Sequence, residues 1–202
     1  MDRRRFALLV GAASAAIALP KISTAGMACE WTPWPNIERC RTGIDSNVAL
    51  RIATVQEDTQ WCWAACIQML FRYYGFKMSQ DRIVASTWGG VVNMPATDQQ
   101  IMHDLNSQWV DDSGVPFQAT SQAVSGGNAA HELKNNQPLI ICTLGHAMVL
   151  TSLVYDRNVV TTVGNDIEAV VRDPWKDNGR KVLTAQEWHG RNLLLAVRCT
   201  PT

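Results

Sequence analysis

The chain has no excess of charge of either sign: lysine and arginine number 18, aspartate and glutamate 18. Nothing in that balance points to a nucleic-acid partner, and without long charge runs there is no interaction tail to read. No internal repeat and no low-complexity segment is present, which removes solenoid and linker-array organisations. No apolar run is long enough to span a bilayer convincingly; the longest near the start, Ala7 to Pro20, is too short. No C-x-x-C pair supports a metal site, and neither metal nor other cofactor is expected. Histidine is scarce, with four in 202 residues. What remains is a chain long enough for one domain with a sizeable core and an apolar content typical of globular proteins. Eight tryptophans are many for this length. Core packing and hydrogen-bonded anchoring account for most tryptophans, and a substrate groove accounts for others.

The first residues read as a targeting segment. Arg3-Arg4-Arg5-Phe6 precedes an apolar middle and then small residues, the layout of a secretory signal. Arg3 to Leu8 resembles a twin-arginine export signal, with Asp2 where Ser or Thr is usual, so ordinary secretory export also fits. Cleavage after Ala25 or Ala28 is expected, and the signal is assigned to residues 1–28. Lipid attachment at Cys29 and a retained anchor are the alternatives; Gly26-Met27-Ala28 lacks the leucine that lipoprotein signals carry. An exported protein, periplasmic or extracellular, is therefore expected.

Export suits the six cysteines, because disulfides persist in oxidising compartments. Cys29 with Cys40 is a candidate local bridge across an entry segment rich in Trp and Pro. Cys142 and Cys199 lie in apolar, strand-like runs and pair if those strands are neighbours. If Cys62 stays a thiol, Cys66 is left over. Spacing alone does not fix the connectivity.

Residues 29–50 read as an extended lead-in and 51–202 as the domain. Ser79 caps a helix that ends at Gly89-Gly90, and Thr97-Asp98 caps another from Gln99 to Trp109. A short helix fits 128–135. His103 and His131, on the last two of these, read as surface histidines. After residue 137 come β-branched, apolar runs at 138–144, 147–155, 159–163, 167–172 and 193–199, bounded by turn residues. Helices followed by an antiparallel sheet give an α+β class.

The stretch from Gln56 to Gly75 reads as a helix capped by Asp58 or Thr59 and closed by Gly75 in a left-handed conformation. Cys62 then sits in the first turn, where the positive end of the helix favours a thiolate. A core cysteine is the bland alternative. Gln56, five intervening residues and Cys62-Trp63 resemble the active-site segment of papain-like cysteine peptidases. The likeness is strongest to compact bacterial members: bacteriocin-processing peptidase domains and plant-pathogen effector proteases. The Cys-Gly-Ser-Cys-Trp run usual in papains is replaced here by Asp58 to Trp63.

That resemblance implies a helical lobe carrying the nucleophile, a β lobe carrying the base, and a cleft between them. It assigns the base to His146, which follows Gly145 and opens an apolar run, and the orienting acid to Asp173 of the Asp173-Pro174 pair. Asp156 is the rival acid. Gln56 and the Cys62 amide take the oxyanion role. Trp61, Trp63 and Trp175 are candidate substrate contacts. A peptide or protein substrate follows, cleaved through a Cys-His-Asp triad. Two other readings stand beside it: another acyl-transfer enzyme on the same fold, such as an amidase, a transglutaminase-like enzyme or a cell-wall peptide hydrolase, or an exported binding protein without catalysis.

Overall fold

The computed structural model describes residues 26–202; the export segment lies outside the described residues as far as residue 25. The architecture is α+β. Among the described residues, nine strands form a large antiparallel sheet accompanied by six helices. In chain order the elements are β1 (Gly26–Trp31), β2 (Ile37–Gly43), α1 (Ser46–Ile52), α2 (Cys62–Tyr73), α3 (Gln80–Trp88), α4 (Asp98–Asp104), β3 (Gln108–Val110), β4 (Pro116–Ala123), α5 (Gly126–Lys134), β5 (Leu139–Thr143), β6 (His146–Asn158), β7 (Gly164–Asp173), β8 (Gly179–Val182), α6 (Ala185–His189) and β9 (Arg191–Pro201). The sheet runs β1-β2-β6-β5-β9-β4-β3, with β7 on β6 and β8 on β7.

The central strands are buried on both faces, which is why their sequences are continuous apolar runs. Side chains along a strand alternate between faces. Ile140, Cys142, Ala147, Val149, Leu195 and Val197 fall on the α2 side. Leu139, Ile141, Met148, Leu150, Leu194 and Ala196 fall on the side covered by α1, α5 and α6. Helix α2 is buried from Trp63 to Phe71. A helix apolar nearly all round belongs inside a core, so the element that carries Cys62 is fixed by packing along its whole length.

Gly75 is left-handed, φ 91°, as the sequence suggests. Helix α3 has Ser79 at its N-cap and Gly89 left-handed at its end, close to the expected bounds. Helix α4 differs. Thr97 makes a capping box with Gln100, but the helix ends at Asp104 rather than Trp109. Trp109 belongs to β3, opposite Phe117, and its Nε1–H donates to the Asp104 carbonyl at 2.8 Å. Burying that indole in the sheet outweighs extending the helix by one turn. Residues 159–163, read as a strand, form the turn between β6 and β7.

The lead-in is a hairpin, β1 with β2, that joins the sheet through β6. Cys29 and Cys40 stand opposite one another in it and form a disulfide. The second expected bridge does not form: Cys142 and Cys199 are free thiols. Their strands β5 and β9 are neighbours, but the register sets Cys142 opposite Leu193 and Cys199 opposite Ala119. Six residues of strand separate Leu193 from Cys199, about 20 Å.

Candidate active site

Helix α2 starts at Cys62 itself. Its N-cap is Trp61, which supplies no side-chain cap. The capping expected from Asp58 or Thr59 is absent because these residues form a separate turn: the Asp58 carboxylate accepts from the Thr59 N–H at 2.6 Å, and the Trp61 N–H donates to the Asp58 carbonyl at 3.2 Å. The first N–H groups of a helix lack intrahelical acceptors. At α2 no side chain from the cap position fills that role, so the positive helix end is presented at Cys62.

The opposite wall is built by a two-residue turn between β5 and β6. Leu144 has φ 50° and Gly145 φ 77°. Two successive positive φ values match the twist of a tight hairpin, and glycine accepts such a φ at little cost. The turn puts Thr143 opposite His146 and leaves the histidine at the strand head, facing the cleft. Its Nε2 lies 2.7 Å from Oδ1 of Asp173, the last residue of β7. That contact leaves Nδ1 for the Cys62 thiol, and the two groups shift one another's protonation.

Asp173 is almost wholly buried, 4% exposed, and both of its carboxylate oxygens are hydrogen-bonded. Oδ1 also accepts from the Trp175 N–H at 2.9 Å, Oδ2 accepts from Nδ2 of Asn178 at 2.9 Å, and Nζ of Lys181 lies 3.9 Å from Oδ2. Lys181 is held in turn by Glu187 at 2.6 Å.

The three protonation equilibria move together. Burial pushes the Cys62 thiol up, but its hydrogen bond with His146 and the Ala147 backbone N–H outweigh burial and bring it below the ordinary thiol value. Burial alone would lower His146; the hydrogen bonds to Asp173 and Cys62 overcome it and raise His146 to about 9. Burial would raise Asp173, yet the hydrogen bonds from His146 and the Trp175 N–H hold it below the usual carboxylate range. All three directions favour thiolate beside imidazolium beside carboxylate. The other free thiols are inert by contrast. Burial pushes Cys142 and Cys199 to about 12 and Cys66 well above the ordinary value.

Cys62, His146 and Asp173 line one cleft of about 540 Å³ together with Trp175 and Asn178. Trp175 is half exposed and its ring stands edge-on to the imidazole, centroids 6.3 Å apart. Trp61 and Trp63 are elsewhere, which corrects their reading as substrate contacts. They are 6% and 1% exposed, and their Nε1–H groups donate to the carbonyls of Val92 and Met94. They anchor the chain segment after α3 onto α2.

Gln56 is also placed otherwise than expected. Its Nε2 donates to the carbonyls of Asp58 and Thr59 at 2.9 and 3.0 Å, so both amide hydrogens are committed to its own loop. Its backbone N–H donates to the Pro174 carbonyl at 2.8 Å, tying the loop before Cys62 to the turn after Asp173. Asp156, the rival acid, is engaged with Arg39 at 2.7 and 2.8 Å. His103 and His131 are exposed.

Sequence reasoning missed Asn178, Lys181 and Glu187. Their signal was faint: an Asn in the turn just past Asp173-Pro174, and a Lys and Glu that only the fold brings together.

Compared with known families, residues 43–192 match the one described as papain-like cysteine protease AvrRpt2. No curated protein matched the chain.

Proposed function

The chain belongs to the family of papain-like cysteine proteases described by AvrRpt2, hydrolases that act on peptides or proteins, and from that premise we propose that Cys62, His146 and Asp173 form its catalytic triad. The observation that carries the assignment is the 2.7 Å bond from His146 Nε2 to a buried, fully hydrogen-bonded Asp173, with the other imidazole nitrogen left to the thiol at a helix start. The α2 side acts as one lobe and the sheet around β5 to β7 as the other, with the substrate lying in the cleft between them.

His146 holds the proton drawn from Cys62, and Asp173 fixes the imidazole orientation and stabilises the imidazolium. The Cys62 thiolate attacks the scissile carbonyl carbon. The oxyanion forms beside the uncapped start of α2, where the Cys62 N–H donates to it; removing one such donor costs about 3 kcal/mol in comparable sites. His146 then gives its proton to the leaving amine as the C–N bond breaks. Water, deprotonated by His146, attacks the thioester and releases the acid product and the thiolate. Gln56 acts through the loop it ties together and not through its amide hydrogens. Trp175 shields the His146–Asp173 bond from water.

We also assign the protein to an exported pool, periplasmic or extracellular. The Arg3-Arg4-Arg5 start with its apolar follow-on supports this, as does the Cys29–Cys40 disulfide. No helix among the described residues is long and apolar enough to cross a membrane.

The test is digestion of an unfolded-protein mixture and, in parallel, of cell-wall peptides, with products read by mass spectrometry. Cleavage of protein with new carboxyl termini, reduced by ~10⁴-fold or more in Cys62→Ala, is the expected result. Cleavage confined to cell-wall peptides, or persisting in Cys62→Ala, contradicts the assignment.

A further inference from the structure

Behind the strand that carries Asp173 lies a second cavity of about 440 Å³, bounded by β2, β6, β7 and β8 and the start of α1. Its volume is in the range of small-molecule sites. Three arginines line it, Arg41, Arg172 and Arg180, with Ser46, Thr151 and Ser152; no acidic side chain does. Side chains alternate along β7, so Arg172 faces this cavity and Asp173 faces the active site.

The arrangement is costly as it stands. Arg172 and Arg180 are directly opposed across β7 and β8, and like charges directly opposite one another destabilise a sheet. Burial and the neighbouring Arg180 push the Arg172 guanidinium below its ordinary value. The Nε atoms of Arg41 and Arg172 are both buried with no hydrogen-bond partner among the described residues. Arg41 reaches an acid only at 3.9 Å, in Glu168. A buried donor without an acceptor costs free energy, more so on a charged group. The Thr151 and Ser152 hydroxyls donate to the backbone carbonyls of Val170 and Thr42, and neither accepts from the Nε of Arg41 or Arg172. Converging cations with unmet donors around an unfilled, acid-free space call for an anion.

We propose that this cavity binds a small anion bearing two or more phosphate groups, gripped by Arg41, Arg172 and Arg180. Guanidinium forks match phosphate oxygens bidentately. More than one phosphate is needed because Arg41 and Arg180 lie three strands apart, on β2 and β8, and are offset along the strands as well. Such an anion would meet both orphaned Nε donors and offset the Arg172–Arg180 repulsion. It would bridge β2, β7 and β8 without touching Cys62, so the site is separate from the triad. The same chemistry occurs in soluble polyphosphates and in phosphoinositide headgroups.

The experiment titrates the full chain, carrying Cys62→Ala against self-digestion, with inorganic tripolyphosphate by calorimetry and follows Tm in parallel. Saturable one-to-one binding that raises Tm is expected. Arg41→Gln and Arg180→Gln should each weaken it about tenfold or more. Arg180 is exposed, so its replacement leaves the fold intact, which circular dichroism checks. Arg82→Gln, whose arginine pairs with Asp112 outside the cavity, should bind as the parent does. Absence of saturable binding, or equal weakening in Arg82→Gln, overturns the site. Co-sedimentation with vesicles containing phosphatidylinositol bisphosphate, competed by tripolyphosphate, identifies a lipid source; tripolyphosphate binding without vesicle capture identifies a soluble one.

Discussion

Asn178 Nδ2 donates to Asp173 Oδ2 at 2.9 Å, on the side of the carboxylate away from His146. Asp173 therefore faces the imidazole with one oxygen while the other is held by the turn that follows β7. Hydrogen bonds to ionised groups are the strong ones, about 1.5–3 kcal/mol. Asn178→Ala should lower kcat by about tenfold while changing KM little, because the lost bond steadies the imidazolium and not the bound substrate. An unchanged kcat would remove Asn178 from the working site.

The tryptophans should separate into two classes. Trp63→Ala removes a fully buried side chain and should cost about 3–5 kcal/mol of stability, read by urea unfolding. Trp175 is half exposed, so Trp175→Ala should cost under about 1 kcal/mol yet reduce kcat/KM by opening the His146–Asp173 bond to water. The reverse ranking would contradict the placement of both residues.

Leu144 sits at φ 50° on the rim of the cleft, 62% exposed. A branched residue in this conformation carries strain of roughly 1–2 kcal/mol, which asparagine largely avoids. Leu144→Asn should raise the midpoint of urea unfolding by about 1 kcal/mol in free-energy terms. If activity falls in the same variant, the exposed leucine serves the substrate.

In the proposed mechanism, His146 sets the alkaline limit of activity. Its pKa is raised to about 9, so the proton it must give to the leaving amine is present below that value and lost as pH rises through it. The kcat/KM profile should fall on its basic side near pH 9. Asn178→Ala, by weakening the support of Asp173, should move that limb to lower pH.

Much of the site was legible because each of its principal residues stands at a local boundary. Cys62 opens a helix, His146 follows a glycine at a strand head, and Asp173 precedes a proline. What the sequence hid were relationships with distant partners. Trp61 and Trp63 have the chemistry of groove residues, and only packing reveals them as anchors. Strand β2 lies within the stretch read as an extended lead-in, because Glu38 and Arg39 break up any apolar pattern there. Those charges pair across the sheet with Arg157 and Asp156, at 2.8 and 2.7 Å, from more than a hundred residues away. Gln56 stands at the spacing expected of an oxyanion donor, but spacing does not tell where an amide points. Its hydrogens close the loop instead.

The central claim is that Cys62 rests as a thiolate paired with protonated His146. The measurement that tests it most directly is the rate of iodoacetamide labelling of Cys62 against pH, read by peptide mass spectrometry, with His146→Ala alongside. The other free thiols are buried and held at high pKa, so labelling should be selective. The account predicts fast labelling that persists well below pH 7, because deprotonation of Cys62 occurs beneath the ordinary thiol value, and its loss in the variant. Labelling that rises only near pH 8.5, as for an unperturbed cysteine, and is indifferent to His146→Ala would contradict it.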